Sequence, residues 1–224
     1  MTDYRIVRTN RKTLAIYIRS NGDVEVRCPK RASDRAIRQA VSAREDWILE
    51  KQRELRSKYS QRQNFALTEA SHLLLLGEEY PVRFGESCTF DGVCFTVPVG
   101  DFAAIRPQVV RLYKRLAQEI LPRRVQALSM QTGLKPQSVR ISGAASRWGS
   151  CSGKNALSFS WRLIMAPLPA VDYVIVHELA HIREHNHSAR FWTLVESILP
   201  DYMEREKQLK VLQNRLAREN WGAR

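Results

Sequence analysis

The sequence predicts an α+β fold, in which an N-terminal hairpin, a long helix and a β-meander precede a mostly helical domain with a small antiparallel sheet. Two observations support this class. Alternation with a period of two and short apolar runs are common before residue 104, whereas apolar residues at helical spacing dominate after it. We therefore expect two domains, residues 1–104 and residues 105–224.

The N-terminal region opens with a β-hairpin. Apolar residues alternate with polar ones over residues 14–18 and again over residues 24–28, and Asn21 and Gly22 lie between the two runs. An Asn-Gly pair supplies the positive φ angles of a tight hairpin turn. Ser33 then provides the N-cap of an amphipathic helix, which the apolar spacing extends over about 25 residues.

A meander and a second long helix follow. Short apolar runs separated by glycines predict an antiparallel meander over residues 72–99. Residues 106–132 have helical spacing, and we expect Pro122 to kink or split this helix and Gly133 to end it. Two further strands are predicted at residues 139–142 and 155–161.

Three helices complete the chain. The first begins after Pro169 and is apolar almost throughout, which predicts that it is buried. A break follows at residues 185–187, and Ser188 is placed to cap the second helix. Asp201 and Glu204 have the spacing of a capping box at the start of the third helix.

The charge of the chain is strongly positive and unevenly distributed. The formal net charge is +13, and residues 106–168 contain 11 Lys or Arg against a single Glu. A basic surface favours nucleic acid, nucleotides or acidic partners, and makes such association sensitive to salt. The alternative is that these charges lie on solvated helix faces.

The remaining composition predicts a cytoplasmic protein. We expect no membrane span, because no run of about 18 apolar residues is present, and no secretory signal, because the N-terminus lacks an apolar segment. The four cysteines are widely spaced and form no C-x-x-C pair, which favours reduced thiols. A Cys88–Cys94 disulfide is the alternative.

The motif that carries chemistry is His177-Glu178-Leu179-Ala180-His181, an H-E-x-x-H sequence on the first C-terminal helix. Spacing of four residues places both imidazoles on one face of a helix, where they can bind one Zn²⁺. Glu178 can then take a proton from a water molecule beside the metal, so we expect it to be the catalytic base. The alternative is a pair of surface histidines with an ordinary glutamate.

The third metal ligand requires the chain to turn back. If the helix continued, His185 would lie about 12 Å from His177, too far to share an ion. Asn186 can end the helix in a left-handed conformation, which would return His187 toward the metal. We therefore expect His187 to complete the site. The alternative third ligands are Glu196 and His185.

The sequence resembles the YgjP-like metallopeptidase family, which is related to the SprT-like and Wss-type proteases. The resemblance is carried by the H-E-x-x-H motif and by residues 147–152 (RWGSCS), 186–192 (NHSARFW) and 199–202 (LPDY). It covers most of the chain and implies a zincin-like metal domain. Its implied ligands are His177, His181 and His187, with Glu178 as the base.

The segment before the last predicted strand is the candidate substrate site. Residues 155–161 would be the sheet edge that pairs with an extended peptide above the metal. Arg147 is expected to contact a substrate carboxylate or phosphate, or else to satisfy carbonyls of a structural loop. We expect Tyr202 to be a buried structural tyrosine rather than an oxyanion donor.

These observations together predict a zinc-dependent hydrolase, a metallopeptidase that acts on peptides or proteins. One alternative is a metal-dependent nucleoside triphosphate pyrophosphatase, an activity ascribed to the YgjP type and consistent with the basic segment 106–168. The other is a protease associated with nucleic acid, since some relatives act on proteins attached to DNA.

Overall fold

A computed structural model describes residues 2–221 and confirms the α+β class. The described chain forms two compact units. The first consists of residues 2–65 with residues 217–219, and the second of residues 66–216 with residues 220–221. Within residues 2–221, no helix combines the length and apolar character needed to cross a membrane.

The first unit is a three-stranded sheet with two helices. Its elements are β1 (Arg5–Thr9), β2 (Ala15–Ile18), β3 (Val24–Pro29), α1 (Asp34–Ser42) and α2 (Glu45–Gln63). The predicted hairpin is β2–β3, and β1 adds to the other side of β3 in parallel, giving the order β1-β3-β2. Alternate residues of β3 face the helices, and the core consists of Val24, Val26, Cys28, Ile37, Val41 and Ile48.

The predicted helix of about 25 residues is two helices, which corrects the sequence-based expectation. Ser33 caps α1 as expected, since its hydroxyl accepts a hydrogen bond from the Ala36 amide. The chain leaves the helical conformation at Arg44, whose φ and ψ are −127° and 18°. Glu45 then begins α2, and its carboxylate accepts hydrogen bonds from Thr2.

The second unit begins with a four-stranded sheet. Its strands are β4 (His72–Leu75), β5 (Glu78–Phe84), β6 (Thr89–Phe90) and β7 (Phe95–Val97), in the order β4-β5-β7-β6. The predicted antiparallel meander is therefore a mixed sheet, because β7 folds back from β6 and inserts beside β5 in parallel. Asp91 directs this turn by accepting hydrogen bonds from the amides of Val93 and Cys94.

A 31-residue helix, α3 (Phe102–Thr132), crosses the second unit. It runs through Pro122 without being split, because apolar residues on both sides of the proline, such as Leu121 and Val125, are buried against the rest of the unit. Gly133 ends the helix with a φ of 72°, as the sequence predicts.

A second small sheet and three helices complete the unit. The sheet has the order β8-β10-β9, formed by β8 (Ser138–Ser142), β9 (Gly149–Cys151) and β10 (Ala156–Ser160). It is mixed rather than antiparallel, since β8 and β10 are parallel. A 3₁₀ turn over Trp161–Met165 leads into α4 (Leu168–Ala180), α5 (Ala189–Ile198) and α6 (Tyr202–Leu216).

The sheet of residues 72–97 packs within the second unit rather than the first. The Tyr113 hydroxyl of α3 donates a hydrogen bond to the Leu74 carbonyl at 2.8 Å, and the Leu76 amide donates to the Ile164 carbonyl at 2.6 Å. The main boundary between the compact units lies after residue 65. The division into domains of residues 1–104 and residues 105–224 stays a prediction.

Candidate metal centre

Helix α4 carries His177 and Glu178 of the H-E-x-x-H motif, and His181 caps its C-terminal end. Its residues from Ala170 to Ala180 are buried except for His177, which is half-buried. A helix enclosed on nearly all sides has little freedom to move, so it fixes the side chains at positions 177, 178 and 181 relative to one another. The helix ends at Ala180, and residues 181–188 lead to α5.

Three histidines meet at this end of the helix. One nitrogen each from His177, His181 and His187 lies within 4.8 Å of the other two, and the Nε2 atoms of His177 and His187 are 3.0 Å apart. His187 returns without the expected left-handed residue, because Asn186 is not among the residues with positive φ. The side-chain oxygen of Asn186 instead accepts a hydrogen bond from the Ser188 amide at 3.3 Å.

The protonation of these rings suits a metal ion. Burial and the neighbouring histidines lower the pKa of His177 to about 4, and burial lowers the pKa of His181, so both are neutral at pH 7. His181 Nδ1 lies 3.0 Å from the Glu184 carbonyl, which places the proton on Nδ1 and leaves Nε2 with a lone pair. A neutral imidazole with a free lone pair is the form that ligates metals.

Glu178 lies beside the histidines in a different environment. Its side chain is buried, and burial raises its pKa to about 7, although the Arg147 charge and a hydrogen bond from the Cys151 amide oppose this shift. A carboxylate with such a pKa is suited to accept and return a proton near neutral pH.

Strand β9 approaches Glu178 so closely that any side chain at position 149 would displace the glutamate side chain. A Cβ atom on Gly149 would lie 2.7 Å from both Cγ and Oε1 of Glu178. Real Cβ contacts are essentially never this short. The glycine of the RWGSCS segment therefore allows the strand backbone and the carboxylate to be in direct contact.

Comparison with known proteins identifies the family of this chain. The YgjP-like family, described as a metallopeptidase domain, matches residues 12–212. The chain belongs to the YgjP-like metallopeptidase family. The protein is thus a hydrolase of the metallopeptidase type, and the family implies a metal ion.

The comparisons with curated proteins and with solved structures add no further assignment. No curated protein matches the YgjP-like chain. Among solved structures, it is similar to the crystal structure of the metallopeptidase zymogen of Pyrococcus abyssi abylysin, at 21% sequence identity and a TM-score of 0.38. That match covers 41% of this chain and 93% of the abylysin chain.

An open cleft of about 610 Å³ lies over the histidines of this YgjP-like chain. It is lined by the three histidines, Glu178, Arg147, His185 and residues 149–153. Arg147 lines the cleft, and its contact with substrate stays a prediction. Glu196 and Tyr202 are not among the lining residues, and His185 lines the cleft without joining the group of three histidines.

The sheet edge at the cleft is β9, not β10, which corrects the sequence-based expectation. β10 is the central strand, because β8 pairs with it on one side and β9 on the other. The Ser160 amide donates to the Trp148 carbonyl, and the Ser152 amide to the Ala156 carbonyl. The intervening odd-numbered residues therefore direct their main-chain groups to the free edge, consistent with the Cys151 amide donating to Glu178.

Sequence reasoning gave no role to the aromatic residues that pack the histidines. Phe191 is fully buried, and its ring centroid lies 4.5–4.8 Å from those of all three histidines. The Trp192 ring stacks on His187 at 5.8 Å. Both residues belong to the NHSARFW segment, whose Phe and Trp at four and five residues after His187 are the only signal in the sequence.

Proposed function

We propose that this chain is a zinc-dependent peptidase, in which His177, His181 and His187 hold the ion and Glu178 is the general base. The observation that carries the proposal is the convergence of three imidazole nitrogens within 4.8 Å beside a buried carboxylate in one cleft. Three histidine ligands with an open fourth position are typical of catalytic rather than structural zinc sites.

The chain's own residues supply proton transfer. When bound, zinc would polarise the scissile carbonyl and lower the pKa of a water molecule to about 7. The Glu178 carboxylate accepts the proton of the attacking water and returns it to the nitrogen of the leaving amine. The Cys151 amide, which donates to Glu178, fixes the carboxylate while it exchanges this proton.

A peptide substrate fits the free edge of β9. An extended chain can add to a sheet edge through main-chain hydrogen bonds, and residues 149–151 present such an edge inside the cleft. The Cys151 amide is engaged by Glu178, so Gly149 supplies the main-chain donor. Arg147, exposed at the cleft, is placed to pair with a carboxylate of the substrate.

The test is the substitution Glu178→Gln. We expect hydrolysis of an unstructured protein substrate to fall by a factor of about 10² to 10⁴, because the base is lost, while zinc content measured by mass spectrometry is unchanged. Glu196→Gln, a change on α5 outside the cleft, is the matched control and should retain full activity. A fully active Glu178→Gln protein would remove Glu178 from the mechanism.

Phosphoanhydride hydrolysis is the less favoured activity. Phosphoryl transfer commonly uses Mg²⁺ held by carboxylates, and Glu178 is the only carboxylate among the described residues that line the cleft. Phosphate release from nucleoside triphosphates, measured beside peptide cleavage, separates the two activities. Association with nucleic acid stays a prediction from the basic charge.

A further inference from the structure

The third histidine is held differently from the other two. His177 projects from the buried helix α4 and His181 caps the end of this helix, whereas His187 is exposed in the turn before α5. His181 also has a carbonyl partner on its Nδ1. Among residues 2–221, the only group within hydrogen-bond distance of the His187 ring is His177 Nε2. Polar contacts to the rest of the chain therefore do not set the plane of the His187 ring.

Aromatic stacking supplies the missing constraint. The His187 ring is nearly parallel to Trp192, with centroids 5.8 Å apart and planes at 28°. Trp192 in turn stacks on Tyr202 at 5.4 Å and 24°, and Tyr202 stacks on Tyr173 at 6.2 Å and 24°. Tyr173 is one turn before His177 on α4, so the stack joins the third histidine to the helix that carries the first two.

The members of this stack come from different elements. Tyr173 belongs to α4, Tyr202 to the first turn of α6 and Trp192 to α5. Tyr173 is buried, and Trp192 and Tyr202 are half-buried, so burial increases toward α4. A rigid aromatic ring has only two rotatable side-chain bonds, and an offset-stacked pair is stabilised beyond the effect of its buried area.

We propose that Trp192, supported by Tyr202, is a positioning residue that fixes the His187 ring in its metal-ligating orientation. The proposal rests on the proposed function, since it takes His187 as a ligand. Phe191 cannot have this selective role, because it contacts all three histidines. Of the histidine rings that Trp192 contacts, His187 is nearly parallel to it, whereas His177 meets it at 66°.

The expected consequence is a loss of metal affinity without a loss of the fold. Residues that orient a metal-bound histidine change metal affinity by about 10- to 100-fold when they are replaced. Trp192→Leu keeps an apolar side chain but removes the ring, and should weaken Co²⁺ binding by this factor. Trp192→Phe keeps a stacking ring and should stay within about threefold of the parent protein.

The experiment is a Co²⁺ titration of the full chain, followed by its visible absorption spectrum and by competition with a chelator. The spectrum reports the ligand geometry, which a purely structural role of Trp192 would leave unchanged in the folded, loaded protein. The same titration of Tyr202→Leu and Tyr202→Phe tests the next ring of the stack, which contacts Trp192 rather than His187. Trp47→Leu, which removes an exposed tryptophan of α2, is the matched control.

The outcomes separate this inference from the proposed function. Weaker binding and an altered spectrum in Trp192→Leu, with rescue in Trp192→Phe, support the positioning role. Parent-like binding and spectrum in Trp192→Leu and Tyr202→Leu, or an equal loss in both Trp192 variants, would overturn it. If the parent protein binds no Co²⁺, or if His187→Ala binds it equally well, the proposed function itself fails.

Discussion

At the scale of single residues, Gly149 is a position where one added methyl group should disturb the catalytic carboxylate. The substitution Gly149→Ala would place a methyl group 2.7 Å from the Glu178 carboxylate. We expect the carboxylate to move, and a displacement of about 1 Å at a reacting group can reduce the rate by about 10²-fold. Zinc content should stay unchanged, because the histidines are not displaced.

The matched control for this prediction is Gly153→Ala. Gly153 also lines the cleft, but a Cβ atom there meets nothing within 4 Å. Steady-state hydrolysis should therefore be reduced in the first variant and unchanged in the second. Equal activities in the two variants would show that the close contact between β9 and Glu178 does not matter for catalysis.

The candidate site was only partly accessible to sequence reasoning. His177, Glu178 and His181 form a local motif, and helix geometry alone places the two histidines on one face. The approach of Gly149 and the stacking of Trp192 join residues far apart in sequence or on different elements. Periodicity describes the neighbours of a residue along its own helix or strand, so it carries no information about such contacts.

At the scale of elements, α3 and α4 are joined by an ion pair. Arg124 donates from Nε and Nη2 to the two carboxylate oxygens of Asp172, at 2.5 and 2.6 Å. Asp172 is buried, whereas Arg124 is partly exposed. This bidentate ion pair therefore holds α4 against α3.

Removing the guanidinium should destabilise the protein. Arg124→Ala leaves the buried Asp172 carboxylate without this partner, which costs about 1–3 kcal/mol of the free energy of unfolding. Urea denaturation should show this loss, whereas Arg123→Ala, at the exposed neighbouring position, should change stability by less than about 0.5 kcal/mol. Equal stabilities would indicate that the pair contributes nothing net.

The elements that the sequence misassigned share one cause. The break at Arg44 and the unbroken passage through Pro122 both depend on packing against other elements. The parallel pairings of β1 with β3, β5 with β7 and β8 with β10 join strands that are not consecutive in sequence, so they depend on the tertiary fold. Local propensity is weak compared with these tertiary interactions, so the types of element were predictable and their pairing was not.

At the scale of the whole molecule, metal binding should be coupled to stability. A ligand that binds the folded state alone stabilises it by about 2.7 kcal/mol when its free concentration is one hundred times its Kd. A chelator should therefore lower the midpoint of thermal unfolding and abolish peptidase activity together, and added zinc should restore both. The His177→Ala variant, which lacks one proposed ligand, should show little change with chelator.

The net charge of +13 is a property of the whole chain rather than of the cleft. Residues that line the cleft include one arginine and one glutamate, whereas most basic residues are outside it. Long-range attraction of acidic partners therefore depends on charges outside the cleft, and salt screens it at distances beyond a Debye length of about 8 Å at physiological ionic strength.

If a substrate adds to the free edge of β9 as proposed, the shortness of this strand limits the length of extended chain that can pair with it. Three residues in extended conformation span roughly 10 Å, and one of their amides already serves Glu178. Folded domains seldom offer an unpaired extended stretch of this kind, because their own sheets occupy it. The protease would then select its targets by local unfolding more than by residue identity, and damaged or nascent chains would be cleaved before intact ones. The same brevity leaves little edge for two copies to join into aggregates.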